Sequence, residues 1–242
     1  VKPAVPAYAF EFKPEQVRAL KGNSRAGNFP DEFQRLGLFC RIGSLPRQMD
    51  LPGVKKVDPM QNNWKKSLSR KADDALTKLS QDGRITSSTG EITLNRNDKS
   101  LRVITPRSEV LTGAGTLSGK TVVSAKMSCY QTVALMSLDA KPLTESAKIL
   151  LIQLTDLSNN GLSFEDKSRR VLLDWGTLPQ MLERGSAELT LALPHKMRVV
   201  PLALDGTPSQ RELSTEYRDG KQYFRIATDL LSGGTLSYLL TR

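Results

Sequence analysis

The chain has 242 residues, 38% of them hydrophobic, which is enough for one large or two small folded domains. It carries 35 Lys and Arg against 25 Asp and Glu, a formal net charge of +10, so its surface should attract polyanions in a salt-dependent way. No run approaches the roughly 18–20 apolar residues of a membrane span, and the single histidine disfavours a Ser-His-Asp catalytic site.

Prolines dominate the first quarter of the chain. Seven of the 13 prolines lie within residues 1–60, and proline interrupts helices and sheets. The sequence therefore predicts an irregular linker or wrapping segment over residues 1–60. Short helical turns are predicted only at PEQVRAL (14–20) and at PDEFQRLG (30–37), where a proline suits the first helical position and Gly37 ends the second turn.

One amphipathic helix follows the proline-rich segment. Apolar residues recur at helical spacing in NNWKKSLSRKADDALTKL, and Asn62 or Asn63 offers an N-cap. This pattern predicts a helix over about 63–79. Trp64 is expected to pack the helix onto a partner surface, with contact to a ligand as the alternative.

From residue 84 onward the pattern changes to short strands. They alternate apolar and polar residues, are rich in β-branched residues, and are separated by turns containing Gly, Asp or Asn. The candidates are RITSS, EITLNR, LRVITP, EVLTG, TVVSAKMS, TVALMSL, KILLIQLTD, RRVLLDW, AELTLALP, MRVVPLAL, KQYFRIA and TLSYLLTR. Because no crossover helices separate them, the sequence predicts a mostly β domain over residues 61–242, an antiparallel β-sandwich of jelly-roll or immunoglobulin-like type. His195, after a proline and between two such runs, is expected in a turn.

The stretch GAGTLSGKT at 113–121 superficially matches a phosphate-binding loop. That loop requires the pattern G-x-x-x-x-G-K-[ST] at the start of a helix. Here Ala114 stands where the first Gly is required, and the residues after Thr121 alternate as a strand does. We therefore predict a Gly-rich turn between two strands.

Two cysteines, Cys40 and Cys129, allow one disulfide and no metal cluster. The sequence leaves open whether they form a disulfide or remain two separate buried thiols. We predict no metal site, no cofactor and no catalytic residue in this chain.

Four stretches together resemble a known family. They are EITLNRNDKSLRVITPRSEVLTG, VALMSLDAKPLTESAKILL, RRVLLDWGTLPQMLE and the terminal TLSYLL. Over about residues 85–242 they resemble the C-terminal β-sandwich that follows the catalytic (β/α)8 barrel in large bacterial cellulase-like glycoside hydrolases. Three motifs carry the resemblance, formed by Thr105, Pro106 and Arg107; by Ser137, Leu138, Asp139, Lys141, Pro142, Leu143 and Ser146; and by Asp174, Trp175, Gly176, Pro179 and Glu183. Ala140 replaces the turn Gly of the second motif, so a left-handed backbone there would carry a Cβ penalty.

The resemblance implies a non-catalytic accessory domain. The two carboxyl groups that glycosidic cleavage requires lie on barrel strands in that family, and this chain has no (β/α)8 pattern. The implied partner is an upstream barrel of the same polypeptide, with polysaccharide as a further partner. A start at Val rather than Met indicates a mature product or an excised fragment, and we expect a secreted or periplasmic bacterial protein although residues 1–10 lack the apolar core of a signal peptide.

Sugar contact would use aromatic faces, because the C–H side of a pyranose is apolar. The candidates are Trp175, Tyr130, Tyr217 and Tyr223. Trp175 follows the apolar run VLLD, which favours core packing over sugar stacking.

Two alternative functions remain. The charge of +10 is compatible with a basic module that binds polyanions or acidic glycans, whereas dispersed basic residues disfavour nucleic acid. A stand-alone enzyme would need a charged pocket, for which Glu165, Asp166, Arg169 and Arg170 are candidates. A surface ion-pair turn is the simpler interpretation of those four residues.

Overall fold

The computed structural model describes residues 6–12, 31–46, 48–58, 61 and 63–242. The chain divides into two compact units, Val1–Lys99 and Ser100–Arg242. The sequence predicted domains of 1–60 and 61–242. The boundary lies later than predicted because the helix that contains Ala72 and Leu76 packs with Tyr8 and Phe33, which belong to the segment predicted as a linker.

Part of the predicted irregular segment forms a small sheet. The strands β1 (Pro6–Phe12), β2 (Arg41–Pro46) and β3 (Lys55–Val57) are parallel and lie in the order β2-β1-β3. The helical turn predicted at 30–37 is confirmed as helix α1 (Asp31–Leu36). The turn predicted at 14–20 lies outside the described residues.

The predicted amphipathic helix is present, with a different start. A 3-10 turn spans Trp64–Ser67, Leu68 is extended, and helix α2 runs over Arg70–Asp82. Ser69 caps α2, because its side chain accepts the N–H of Ala72, whereas Asn63 makes no side-chain cap. Gly83 ends α2 at φ 64°. A hairpin of β4 (Arg84–Thr86) and β5 (Ile92–Asn95) completes the first unit.

Trp64 has the predicted packing role. It is buried and meets Phe33 edge-on, with ring centroids 5.8 Å apart. The same cluster contains Leu36 and Cys40. The aromatic pair therefore joins the 3-10 turn to α1 within the first unit.

The second unit is antiparallel β throughout its described pairings. This confirms the predicted mostly β, sandwich-like architecture. Its strands are β6 (Ser100–Ile104), β7 (Ser108–Leu117), β8 (Val122–Ser137), β9 (Lys148–Leu154), β10 (Leu157–Asn160), β11 (Ser163–Phe164), β12 (Leu172–Asp174), β13 (Thr177–Leu182), β14 (Ser186–Ala192), β15 (Arg198–Leu202), β16 (Glu216–Arg218), β17 (Lys221–Ala227) and β18 (Ser237–Thr241).

Strand β8 belongs to two runs of strands. On one side, β7 pairs with both halves of β8. On the other side, β9 pairs with Thr132–Ser137 in the order β15-β18-β9-β8, and β14 pairs with Val122–Met127 in the order β8-β14-β17-β16. The sequence had predicted two separate strands here. Residues 128–131 lie where β9 and β14 diverge, and we call this place the split.

The core of this unit is apolar and continuous. It is formed from alternate residues of the long strands, together with residues of the connections, and its fully buried members include Leu111, Val122, Leu135, Leu151, Leu191, Ile226 and Leu240. The turn between β7 and β8 covers 118–121 only, because β7 continues to Leu117, so the first part of the stretch predicted as a Gly-rich turn is strand. His195 lies exposed in the connection between β14 and β15, as predicted.

Candidate functional site: a surface arm and the cleft at its base

Residues 155–184, which we call the arm, connect β9 to β14. The arm holds two ribbons, β10 with β13 and β11 with β12. Its two ends are fastened together, because the Thr155 hydroxyl donates to the Glu183 carbonyl at 2.7 Å and the Glu183 N–H donates to the Asp156 carbonyl at 2.8 Å. The arm therefore leaves the sheet at a closed base beside the split.

The two ribbons meet at a corner that requires glycine. Gly176 has φ 67°, and a Cβ at this position would overlap the backbone of Asn160 and Leu162. The Asp174 carboxylate accepts the Gly176 N–H at 2.8 Å, and the Asn159 amide donates to the Trp175 carbonyl at 3.0 Å. The third family-like motif thus encodes this corner and the base of the arm.

The second ribbon folds back towards the base. Arg169, in the turn between β11 and β12, pairs with Asp156 at 2.8 Å and lies 5.8 Å from the Phe164 ring centroid. In the same turn, hydrogen bonds from Ser168 hold the pKa of Asp166 below its usual value. Of the four charged residues that the sequence singles out, Arg169 thus pairs with Asp156, outside the set, and Asp166 bonds to Ser168 within the turn.

The arm exposes large apolar side chains. Trp175 is 73% exposed and Leu178 is 78% exposed. Leu157, Val171, Leu173 and Met181 are also among the exposed large hydrophobics of the described residues. The core packing favoured for Trp175 by its apolar neighbours is therefore wrong, because β12 is a three-residue strand of a two-stranded ribbon.

A cleft of about 400 Å³ lies at the base of the arm. The split contributes Tyr130, the adjoining Thr132–Leu154 pair of β8 and β9 lies beside it, and the arm contributes Asp156, Arg169 and Glu183. Tyr130 is 54% exposed. An aromatic face, two carboxylates and a guanidinium group thus share one concave surface.

A buried polar network supports the cleft wall. The Gln131 amide donates to the Ser186 carbonyl at 2.8 Å, and the Gln153 amide donates to Gln131 at 2.7 Å. Tyr238 donates to the Ala227 carbonyl at 2.8 Å. Because Gln131, Gln153 and Tyr238 are almost fully buried, these bonds fix the strands beneath the cleft.

Both cysteines are free thiols, so the disulfide left open by the sequence is not formed. Cys40 packs in the first unit's core, and burial raises the pKa of its thiol to about 11. Cys129 lies at the split. Burial and the Glu183 carboxylate raise the pKa of the Cys129 thiol, against the opposing effect of a Ser128 hydrogen bond.

The structure does not bring the four candidate aromatic residues to one site. Tyr130 lines the cleft and Trp175 lies at the arm corner. Tyr217 and Tyr223 belong to the β16–β17 hairpin, where the Tyr217 hydroxyl donates to the Leu193 carbonyl at 3.0 Å and Arg218 lies 4.9 Å from the Tyr223 ring centroid. These two half-buried tyrosines already have protein partners.

The first two family-like motifs meet in a structural corner. The Ser137 N–H donates to the Arg107 carbonyl and the Leu143 N–H to the Pro106 carbonyl. Asp139 accepts the hydroxyls of Ser137 and Ser146, among other bonds, and these bonds hold its pKa well below the usual range. The spacing S-x-D-x6-S, formed by Ser137, Asp139 and Ser146, is the sequence signal for this hydrogen-bonded corner.

Comparison with family models, with curated proteins and with solved structures gave no match to this chain. The part of the chain that the structure describes contains no group of three or more His, Cys, Asp or Glu side chains that would hold a metal ion. The helices among the described residues all fall short of the length and hydrophobicity of a transmembrane segment.

Proposed function

We propose that this chain is a non-catalytic accessory β-sandwich of a secreted or periplasmic bacterial glycoside hydrolase, which supports a catalytic barrel of the same polypeptide and contacts glycan. The observation that carries the supporting role is the apolar arm. Its base is held by hydrogen bonds, its corner needs Gly176, and its apolar side chains, Trp175 and Leu178 foremost, face solvent. Several large apolar side chains exposed on one short segment are typical of an interaction site.

A domain of the same polypeptide is the partner that best suits the arm. Covalent connection gives such a domain a high effective concentration, so an apolar contact of modest size suffices. The arm carries five acidic and four basic residues, and this near balance favours an apolar contact over one driven by charge.

Hydrogen exchange tests the supporting role. Backbone amides of β10 and β13 are expected to exchange more slowly in the full natural polypeptide than in the 242-residue chain. Leu178→Asp should remove that protection, because it places a charge in the contact. Leu204→Asp is the matched control, since Leu204 is 64% exposed and lies outside the arm. Equal exchange in both proteins, or equal effects of the two substitutions, would contradict the proposal.

The alternative is a basic module that binds polyanions or acidic glycans. Residues 1–99 hold 18 Lys and Arg against 11 Asp and Glu, whereas residues 100–242 hold 17 against 14. The excess charge therefore lies mainly in the first unit. Several of its cations are paired, among them Lys65 with Glu32 at 2.8 Å. Heparin retention that falls steeply with salt would favour this alternative.

A further inference from the structure

We propose that the cleft at the split binds a neutral, hydroxyl-rich sugar stacked on Tyr130, and that it discriminates against acidic sugars. This inference rests on the proposed function, which calls for glycan contact without specifying the site or the glycan. The apolar arm needs only its exposed outer residues to meet a barrel. That role leaves the cleft at the arm's base unassigned.

Tyr130 provides the stacking surface. Tyr130 is 54% exposed and lines the cleft. Leu154, 46% exposed, adds a second apolar side chain to the same cleft. An open aromatic face beside an aliphatic wall suits the apolar C–H side of a pyranose ring.

The polar groups of the cleft match hydroxyls, which both donate and accept hydrogen bonds. The Glu183 carboxylate, whose charge acts on the Cys129 thiol, forms no ion pair within the described part of the chain and accepts from a sugar hydroxyl. Arg169 uses one terminal nitrogen for Asp156, which leaves other guanidinium N–H groups to donate. A single pyranose ring stacked on Tyr130 would thus meet one hydrogen-bond acceptor and one donor.

The charge of the cleft determines the class of sugar. Asp156 and Glu183 outnumber Arg169, and the Asp156–Arg169 pair is already neutral. The remaining negative charge belongs to Glu183, and it repels the carboxylate of a uronic acid or the sulfate of a sulfated sugar. Neutral glycans bring hydroxyls without that repulsion.

Size and rigidity agree with a small ligand. About 400 Å³ lies in the lower part of the roughly 300–1,000 Å³ range of ligand pockets and suits about one or two sugar rings. The Asp156–Arg169 pair holds two of the polar side chains before binding, and the hydrogen bond from Thr155 to the Glu183 carbonyl fixes the backbone that carries the third. Preorganisation of this kind lowers the entropic cost of binding.

Isothermal titration of the 242-residue chain tests the inference. The probes are neutral gluco-, manno-, xylo- and galacto-tetrasaccharides and an oligogalacturonide of matched length. At least one neutral probe should bind with Kd of about 1 mM or lower. Because the ligand is uncharged, its affinity should not change between about 0.05 and 0.5 M NaCl.

Variants identify the site. Tyr130→Ala should weaken binding of the neutral sugar about five- to ten-fold, whereas Tyr130→Phe, which keeps the ring, should stay within about two-fold. Tyr223→Ala is the matched control and should bind as the unmodified chain does. Glu183→Gln should raise the affinity for the oligogalacturonide, because it removes the repelling charge.

Any of three results would overturn the inference. The first is that no neutral probe binds at about 10 mM. The second is that the oligogalacturonide binds more tightly than every neutral probe, and the third is that Tyr130→Ala binds the neutral sugar as the unmodified chain does. The arm's hydrogen exchange is independent of these titrations. Protection of the arm without sugar binding would support the accessory role and contradict the sugar site in the cleft. Sugar binding without protection of the arm would support the sugar site and contradict the supporting role of the arm.

Discussion

The carboxylate of Glu109 accepts the backbone N–H of Thr121 at 2.5 Å. It also accepts the N–H groups of Lys120 at 3.1 Å and Val122 at 3.0 Å. The turn that superficially matches a phosphate loop therefore does surround an anion, and the chain itself supplies that anion. Gly119 is required here, since a Cβ would overlap the Glu109 carboxylate.

Glu109→Gln should destabilise the second unit by about 2–4 kcal/mol. Glu109 is 1% exposed, and a glutamine amide would replace one of the two accepting oxygens with an NH2 group that faces N–H donors. Urea unfolding with an unchanged m-value measures this loss. Glu188→Gln is the control: Glu188 pairs with Lys126 on the exposed surface, so its loss should stay below about 0.5 kcal/mol. Similar losses for the two variants would show that the buried carboxylate has no special role.

Ala140→Gly should stabilise the chain by about 0.5–1 kcal/mol, because Ala140 has φ 60° and its Cβ is strained in the left-handed region. Ala114→Gly is the matched control, since Ala114 is exposed and has no positive φ. It should lower stability through the extra freedom of glycine in the unfolded chain. Thermal unfolding of both variants decides the matter, and a lower Tm for Ala140→Gly would refute the assigned strain.

The buried Tyr238 should make the free energy of unfolding decrease at alkaline pH. Burial raises the pKa of Tyr238 above its usual value, against the opposing backbone hydrogen bond from Ala227. Its contribution is therefore complete below the unfolded pKa of about 10 and is lost as pH rises beyond it. Tyr238→Phe should cost about 1–3 kcal/mol at pH 7 and should flatten the decline of stability above pH 10. Parallel declines in the two proteins would contradict this assignment.

Cys129 should react slowly with iodoacetamide at pH 8, because burial and the Glu183 carboxylate raise the pKa of its thiol. Glu183→Gln should speed the reaction by lowering that pKa and raising the thiolate fraction. Mass spectrometry of the peptides separates Cys129 from Cys40, which serves as an internal control with a pKa of about 11. An unchanged rate at Cys129 in the variant would indicate that Glu183 does not act on the thiol.

Local sequence patterns predicted most of the second unit's strands. Alternation located β9 and β17, but it divided β8 into two strands because the polar Gln131 occupies a buried position where the pattern expects an apolar residue. The helix start was misplaced because a cap depends on backbone conformation: both Asn63 and Ser69 suit a cap, and only Ser69 accepts an N–H.

The candidate site was only partly predictable. Tyr130 and Trp175 were identified as aromatic residues suited to sugar contact, but alternation cannot show that β9 and β14 diverge at the split. The exposure of Trp175 depends on how many layers surround its strand, which is a tertiary property. Asp156, which lies at the start of the arm 13 residues before Arg169, had no local signal linking the two.

The hydrogen-bonded base makes the length and sequence of the arm independent of the sheet that carries it. Because Thr155 and Asp156 meet Glu183 directly, residues between them can be lengthened, shortened or exchanged while the register of the flanking strands is preserved. The whole segment between Asp156 and Glu183 can thereby be exchanged as one unit without disturbing the sheet.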